Sequence, residues 1–218
     1  MIRIITILYF TVGAVNVFAQ LMGYSDLNMF TKPLLMPLLI YYVFLFAGGV
    51  ISLPRLMMAG ALVFSWLGDV ILLNKGDEMF FLAGLGSFLV AQVIYAITLS
   101  KASFQPIKFE WRPLLPLMLY GALLLFALVR NSGDMAPAIV VYGFGILTML
   151  SMARLRRWGT NTESYKLAFI GAFLFVVSDS ILGLNKFVFD IPAGDFLVMA
   201  TYIPAQFFLV KGLLSHPA

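Results

Sequence analysis

Two aspartates lie inside apolar runs long enough to cross a membrane, and they are the residues from which chemistry can be argued. Asp69 sits in Gly60-Ala-Leu-Val-Phe-Ser-Trp-Leu-Gly-Asp-Val-Ile-Leu-Leu-Asn74. Asp179 sits in Gly171-Ala-Phe-Leu-Phe-Val-Val-Ser-Asp-Ser-Ile-Leu-Gly-Leu-Asn185-Lys186, which repeats the layout: a Gly-Ala start, an aromatic-rich middle, an Asp, then Asn-Lys. An ionised Asp at membrane depth costs about 2.5 to 3.5 kcal/mol on insertion scales, so such a group faces a partner or a wet cavity. Two carboxyls at one depth suit general acid and base work, or the binding of a proton or cation.

At helical spacing Ala61, Ser65 and Asp69 share one face, as do Gly171, Phe175, Asp179, Gly183 and Lys186. The small residues on these stripes read as helix contacts. Two further segments echo each other, Ala91-Gln92-Val-Ile-Tyr95 and Tyr202-Ile-Pro-Ala205-Gln206. Gln92 and Gln206 need hydrogen-bond partners in lipid and must face inward, either to touch a substrate or to brace helices. With the hydroxyls of Ser65, Tyr95, Ser178 and Tyr202 they complete the polar candidates for substrate binding. Lys32, before Pro33, can meet a lipid phosphate as a point charge or snorkel to the interface.

Several chemistries are excluded. There is no cysteine, so thiol nucleophiles, disulfides and thiolate metal sites are out. The single histidine, His216, is on the C-terminal tail, which removes a Ser-His-Asp triad and the buried ligands of a zinc hydrolase. Gly84-Leu-Gly86 and Gly143-Phe-Gly145 follow no strand and are not nucleotide loops. No metal or cofactor is called for, and what remains is carboxylates, amides, hydroxyls and water.

The elements that must position these groups follow from composition. Of 218 residues 62% are hydrophobic and 11% charged, too apolar for a soluble domain. The expectation is an all-α, multi-pass integral membrane protein, in the inner membrane if the source is bacterial, forming a single membrane domain over residues 1–218. Eight spans can be drawn at roughly 4–22, 33–52, 56–74, 79–100, 113–130, 135–153, 165–184 and 194–214. Short connections carry turn or helix-start signals such as Lys32-Pro33, Pro54-Arg55, Asn74-Lys-Gly-Asp77 and Pro192-Ala-Gly-Asp195. Val17-Phe-Ala19-Gln20 is a passable signal-peptidase site, but the apolar run continues to Met22 behind a single Arg3, which favours a retained span.

Basic residues give the orientation. Arg3, Arg55, Lys101, Lys108, Arg112, Arg154, Arg156, Arg157, Lys166 and Lys211 fall on the side of the termini; Lys32, Lys75, Arg130 and Lys186 fall on the other. Both termini are therefore expected in the cytoplasm. The Arg154–Arg157 cluster reads as a topology signal in contact with anionic lipid, and the net charge of +4 gives no reason to invoke nucleic acid. Spans three and seven run the same way, and at 1.5 Å per residue both aspartates lie about 7 to 9 Å below the outer helix ends.

Lys32-Pro33, Phe64-Ser-Trp-Leu-Gly-Asp69, Gly84 with Phe88 and Tyr95, Phe175-Val-Val-Ser-Asp179-Ser with Asn185-Lys-Phe187, and Tyr202 with Ala205-Gln206 together resemble the YhhN-like family of membrane proteins, the lysoplasmalogenase family. The resemblance runs over most of the chain. It implies an integral membrane enzyme that cleaves the vinyl ether of lysoplasmalogens to a fatty aldehyde and glycerophosphoethanolamine or glycerophosphocholine, with Asp69 and Asp179 as the paired aspartates. The implied partners are a lysophospholipid, water and membrane lipids. One departure is Gln92, where many members have His. In such a reaction one carboxyl keeps its proton as the acid while its ionised partner stabilises an oxocarbenium-like cation and positions water. Lys186, at i+7 from Asp179, favours Asp179 as the ionised member if its ammonium reaches inward. A small transporter or lipid-handling protein using the same carboxylates for protons or cations stands as the alternative; the aspartates' position near one face and the lack of central helix breaks other than Pro204 speak against it.

Overall fold

Backbone N–H and C=O groups cannot go unpaired in lipid, and a helix pairs them within one segment. The computed structural model describes residues 1–47, 52–74 and 76–216, and these residues form eight long helices and no strand. They are α1 (Ile2–Met22), α2 (Ser25–Ala47), α3 (Leu53–Ile71), α4 (Glu78–Lys101), α5 (Leu115–Asn131), α6 (Ala136–Leu155), α7 (Thr162–Phe187) and α8 (Gly194–Leu214). Each, α5 being counted with the 3-10 turn that precedes it from Arg112, is long and apolar enough to cross a membrane. Short 3-10 turns at Arg112–Leu114, Gly133–Met135 and Arg156–Trp158 flank α5 and α6. Lys75 and the end of the expected second span lie outside the described residues.

The second helix differs most from its expected bounds. It starts at Ser25, and Lys32, Pro33 and Pro37 fall inside it. Gly23, in the left-handed conformation at φ 72°, ends α1 and lets α2 begin two residues later. A proline removes the hydrogen bond to the carbonyl four residues back. Pro37 does this to Pro33, and the indole Nε1 of Trp66 on α3 donates to the freed Pro33 carbonyl at 2.9 Å. Lys32 is thereby carried into the bundle on a continuous helix instead of standing at its mouth.

α8 is the centre of the bundle, packing along α7 and also against α1 and α2; α3 pairs with α4, α4 with α6, and α5 lies outside against α6 and α7. The α7–α8 pair is close enough that glycine is required. A Cβ on Gly171 would lie 2.4 Å from the Leu209 backbone nitrogen, and one on Gly212 would lie 2.4 Å from the Ala168 nitrogen. At the end of the same pair where α7 gives way to α8, the Asn185 side chain accepts from the Ile191 N–H at 2.7 Å and so fixes the turn into α8.

Opposite that end, Thr160 and Asn161 of the α6–α7 connection meet His216 and the Ser215 carbonyl. Here the sequence reading of the basic cluster needs correction. Arg156 has no exposed surface. Its Nη2 donates to the Ala102 carbonyl at 2.8 Å and to Ser164 Oγ at 3.0 Å, tying the end of α4 to the start of α7. Arg154 and Arg157 remain on a surface pocket.

The α7–α8 contact is the seam that holds Asp179 in register with α8. Gly171→Val is expected to lower unfolding stability by about 3 kcal/mol through backbone overpacking, whereas Gly60→Ala, with open space around its Cβ, is expected to leave the thermal midpoint in detergent unchanged.

Candidate active site

A cavity of about 320 Å³ opens at the end of the bundle where α3 and α7 finish and α8 starts. Asp69 and Asp179 both line it. So do Lys32, Ser178, Lys186 and Tyr202 of the residues singled out from sequence.

Asp69 is buried, and its two oxygens have different partners. Oδ1 lies 3.6 Å from the Lys32 ammonium. Oδ2 accepts from the Tyr202 hydroxyl at 2.9 Å. That hydroxyl in turn accepts from Gln206 Nε2 at 3.1 Å, and the same amide nitrogen donates to Ser65 Oγ at 3.0 Å. The Tyr95 hydroxyl closes the chain by donating to Gln206 Oε1 at 2.8 Å. Each donor has a defined acceptor, so the network fixes the Gln206 amide and, through it, the direction of the Tyr202 O–H. Phe88 and Phe175 pack edge-on to the Tyr202 ring at centroid distances of 6.0 and 5.6 Å, which holds the ring itself.

Asp179 is half-buried and differently furnished. Its Oδ2 accepts a hydrogen bond from the Tyr142 hydroxyl and another, at 3.4 Å, from Gln92 Nε2. Among the described residues no ammonium or guanidinium is within ion-pair distance of it. Lys186 is on the cavity wall, but its Nζ lies 5.4 Å from the centre of the Phe81 ring. The cation expected to favour an ionised Asp179 therefore makes no such pair, whereas Lys32 pairs with Asp69.

The structure does not bring every candidate to the cavity. Ser65, Gln92, Tyr95 and Gln206 are fully buried and stand behind the carboxylates, where their amides and hydroxyls orient acid groups and do not face the open space. Ser178 is on the wall, with its hydroxyl donating to the Val198 carbonyl at 3.0 Å. Three contributors escaped the sequence reading. Tyr142 is a single phenol in the apolar run of α6, outside the α3–α4 and α7–α8 echo, and its partner is fixed only by the fold. Gln20 and Asn28 line the cavity beside Lys32. Gln20 Nε2 and Asn16 Nδ2 both donate to Asn28 Oδ1 at 2.9 Å, locking α1 onto α2. Polar residues recurring at 16, 20, 28 and 31 were the available signal.

Fold and site together define a multi-pass membrane protein with a carboxylate pair in a cavity at one end of its bundle. The chain belongs to the YhhN family, which its residues 27–213 match. It is 30% identical to lysoplasmalogenase TMEM86B of Mus musculus over 83% of this chain and 74% of that protein. It is 33% identical to lysoplasmalogenase TMEM86A of Bos taurus over 66% of this chain and 60% of that protein, and 29% identical to TMEM86B of Rattus norvegicus over 83% and 71%. No solved structure is significantly similar.

The Lys32–Asp69 pair makes a prediction that needs no substrate. Removing one member of a buried pair strands the other's charge and costs about 3 kcal/mol or more, while removing both relieves it. Lys32→Met should therefore melt well below the wild type, and Lys32→Met/Asp69→Asn should recover much of the loss; a double variant less stable than Lys32→Met would contradict the pairing.

Proposed function

We propose that this protein is a membrane hydrolase of the lysoplasmalogenase type, which cleaves the vinyl ether of a lysoplasmalogen to a fatty aldehyde and a glycerophospho-alcohol. The relatives' names supply the substrate class. The observation that carries the mechanism is that Asp69 and Asp179 share one cavity, the first beside an ammonium and the second, among the described residues, without one in ion-pair distance.

A vinyl ether, R–CH=CH–O–R′, breaks when a proton adds to the carbon beta to oxygen. The π electrons form the new C–H bond, and the positive charge is shared by the alpha carbon and oxygen. Two carboxyls facing one cavity do not both carry charge easily. Lys32 and the Tyr202 hydroxyl stabilise that charge on Asp69, so Asp179 is the member that holds and delivers the proton. Tyr142 and Gln92 keep its carboxyl in one orientation. Asp69, as the anion, stabilises the oxocarbenium-like cation, as paired carboxylates do in glycoside hydrolysis. Water then adds to the alpha carbon and gives up a proton to a carboxylate. The resulting hemiacetal collapses with proton transfer to the departing oxygen, yielding R–CH₂–CHO and HO–R′. The reaction consumes one water and leaves both carboxyls as they began. Lys186, at the cavity mouth, is suited to a phosphate on the head group.

The direct test is aldehyde release from lysoplasmenylethanolamine by the purified protein. Asp69→Asn and Asp179→Asn are each expected to abolish most turnover while the protein remains folded and inserted. Tyr142→Phe, which loses a hydrogen bond to a neutral carboxyl worth about 0.5 to 1.5 kcal/mol, is expected to reduce turnover about 2- to 10-fold. Full activity in either Asn variant would remove that aspartate from the mechanism. No aldehyde from the wild type, with proton flux in liposomes lacking substrate, would favour transport instead.

A further inference from the structure

Asp179 borders a second cavity. This one, of about 50 Å³, lies between α5, α6 and α7, and Lys32 is not among the residues that line it. Its walls are almost wholly apolar: Leu124, Leu125 and Leu128 from α5, Ile139, Ile146 and Leu147 from α6. Its polar groups are concentrated around Asp179. Tyr142 donates to that carboxyl, and Tyr120 donates to Ser180 Oγ at 2.7 Å. Nothing in the proposed reaction at the larger cavity uses this space.

The cavity reaches the lipid-facing surface. Tyr120 is 44% exposed, and Leu124, Leu125 and Leu147 are half-buried. The flanking surface, with Leu119, Leu123, Val141 and Phe144 exposed, is what a bilayer would contact. The helices are notched to make this region. A Cβ on Gly121 would be 2.3 Å from Leu147 Cδ1, and one on Gly143 would be 2.5 Å from Leu125 Cδ2, so each glycine accepts a leucine of the facing helix.

We infer that this apolar cavity seats the hydrocarbon chain of the substrate at the carbons next to the vinyl ether, the chain entering from the bilayer between α5 and α6. The inference rests on the lysoplasmalogenase reading and adds to it the path and position of the chain. A lysoplasmalogen presents, in order, a charged head, a vinyl ether and one hydrocarbon chain. The protein presents, in order, a polar cavity with Lys32 and Lys186, the carboxyl of Asp179, and an apolar cavity open toward lipid. Among the described residues Asp179 alone lines both spaces, so a chain held on one side and a head held on the other bring the bond between them to that carboxyl. The volume suits the first carbons of the chain, and the rest remains in the bilayer. On cleavage the aldehyde retreats into lipid while the glycerophospho-alcohol leaves through the polar cavity.

The test is photolabelling of the wild-type protein in liposomes with a lysoplasmenylethanolamine carrying a diazirine on the third or fourth chain carbon. Labels competed by unmodified substrate are expected on α5 and α6, around Leu124 and Ile146. Competed labels on Leu72, Phe81 or Phe88 of the larger cavity, or no competed labelling, would overturn the inference. A kinetic arm uses Leu124→Trp and Ile146→Phe, which fill the cavity. Both are expected to lose about tenfold or more in kcat/KM on a long-chain substrate and to keep near wild-type kcat/KM on an ethenyl glycerophosphoethanolamine, which has no chain to seat. Equal losses on both substrates would contradict chain seating. Failure of the wild type to release aldehyde from either substrate would overturn the reading of the reaction instead, and the labelling pattern would still locate the chain.

Discussion

Two carboxyl groups that face one cavity inside a lipid-embedded bundle must receive their hydrogen-bond donors from the surrounding helices. Here they receive them unequally. Lys32 from α2 and Tyr202 from α8 converge on Asp69 of α3, while Tyr142 from α6 and Gln92 from α4 converge on Asp179 of α7. Much of the helix packing can be understood as the means of delivering these groups. The close α7–α8 seam brings Asp179 and Tyr202 to one cavity, the proline-bearing α2 carries Lys32 inward, and the buried Gln206 and Tyr95 fix the phenol that meets Asp69.

That asymmetry gives chemically similar residues different roles in the proposed reaction. An anion beside an ammonium cannot serve as the proton donor, and an acid without a cation nearby is the better one. Substrate geometry imposes the same division. The acid must reach the carbon on the chain side of the vinyl ether, and Asp179 is the carboxyl that borders the apolar cavity.

Much of this was legible in the chain because membrane burial leaves strong signals. Eight apolar runs, two intramembrane aspartates and the Gln-bearing echo in α4 and α8 follow from the cost of polar groups in lipid. Less legible was whatever depended on which helices become neighbours. Tyr142 sits in an ordinary apolar run, and nothing local distinguishes it from a lipid-facing phenol until α6 is packed against α7. Lys32-Pro33 looked like a helix start because proline is favoured there; Trp66 compensates the carbonyl that Pro37 frees, which allows the helix to continue through both prolines. Arg156 counted as a surface charge by position, yet its guanidinium is consumed by a backbone carbonyl and a serine. Lys186 is near Asp179 along the helix but lies over Phe81 instead.

In the proposed reaction the bond is broken by protonating carbon, with the aspartates as acid and anion. This step is tested most directly by running the reaction in heavy water with the purified protein and examining the aldehyde promptly by mass spectrometry, with a protiated aldehyde carried in parallel to correct for exchange. Proton delivery to the beta carbon requires one solvent deuterium on the carbon next to the aldehyde group. A product with no deuterium there after correction would contradict carbon protonation.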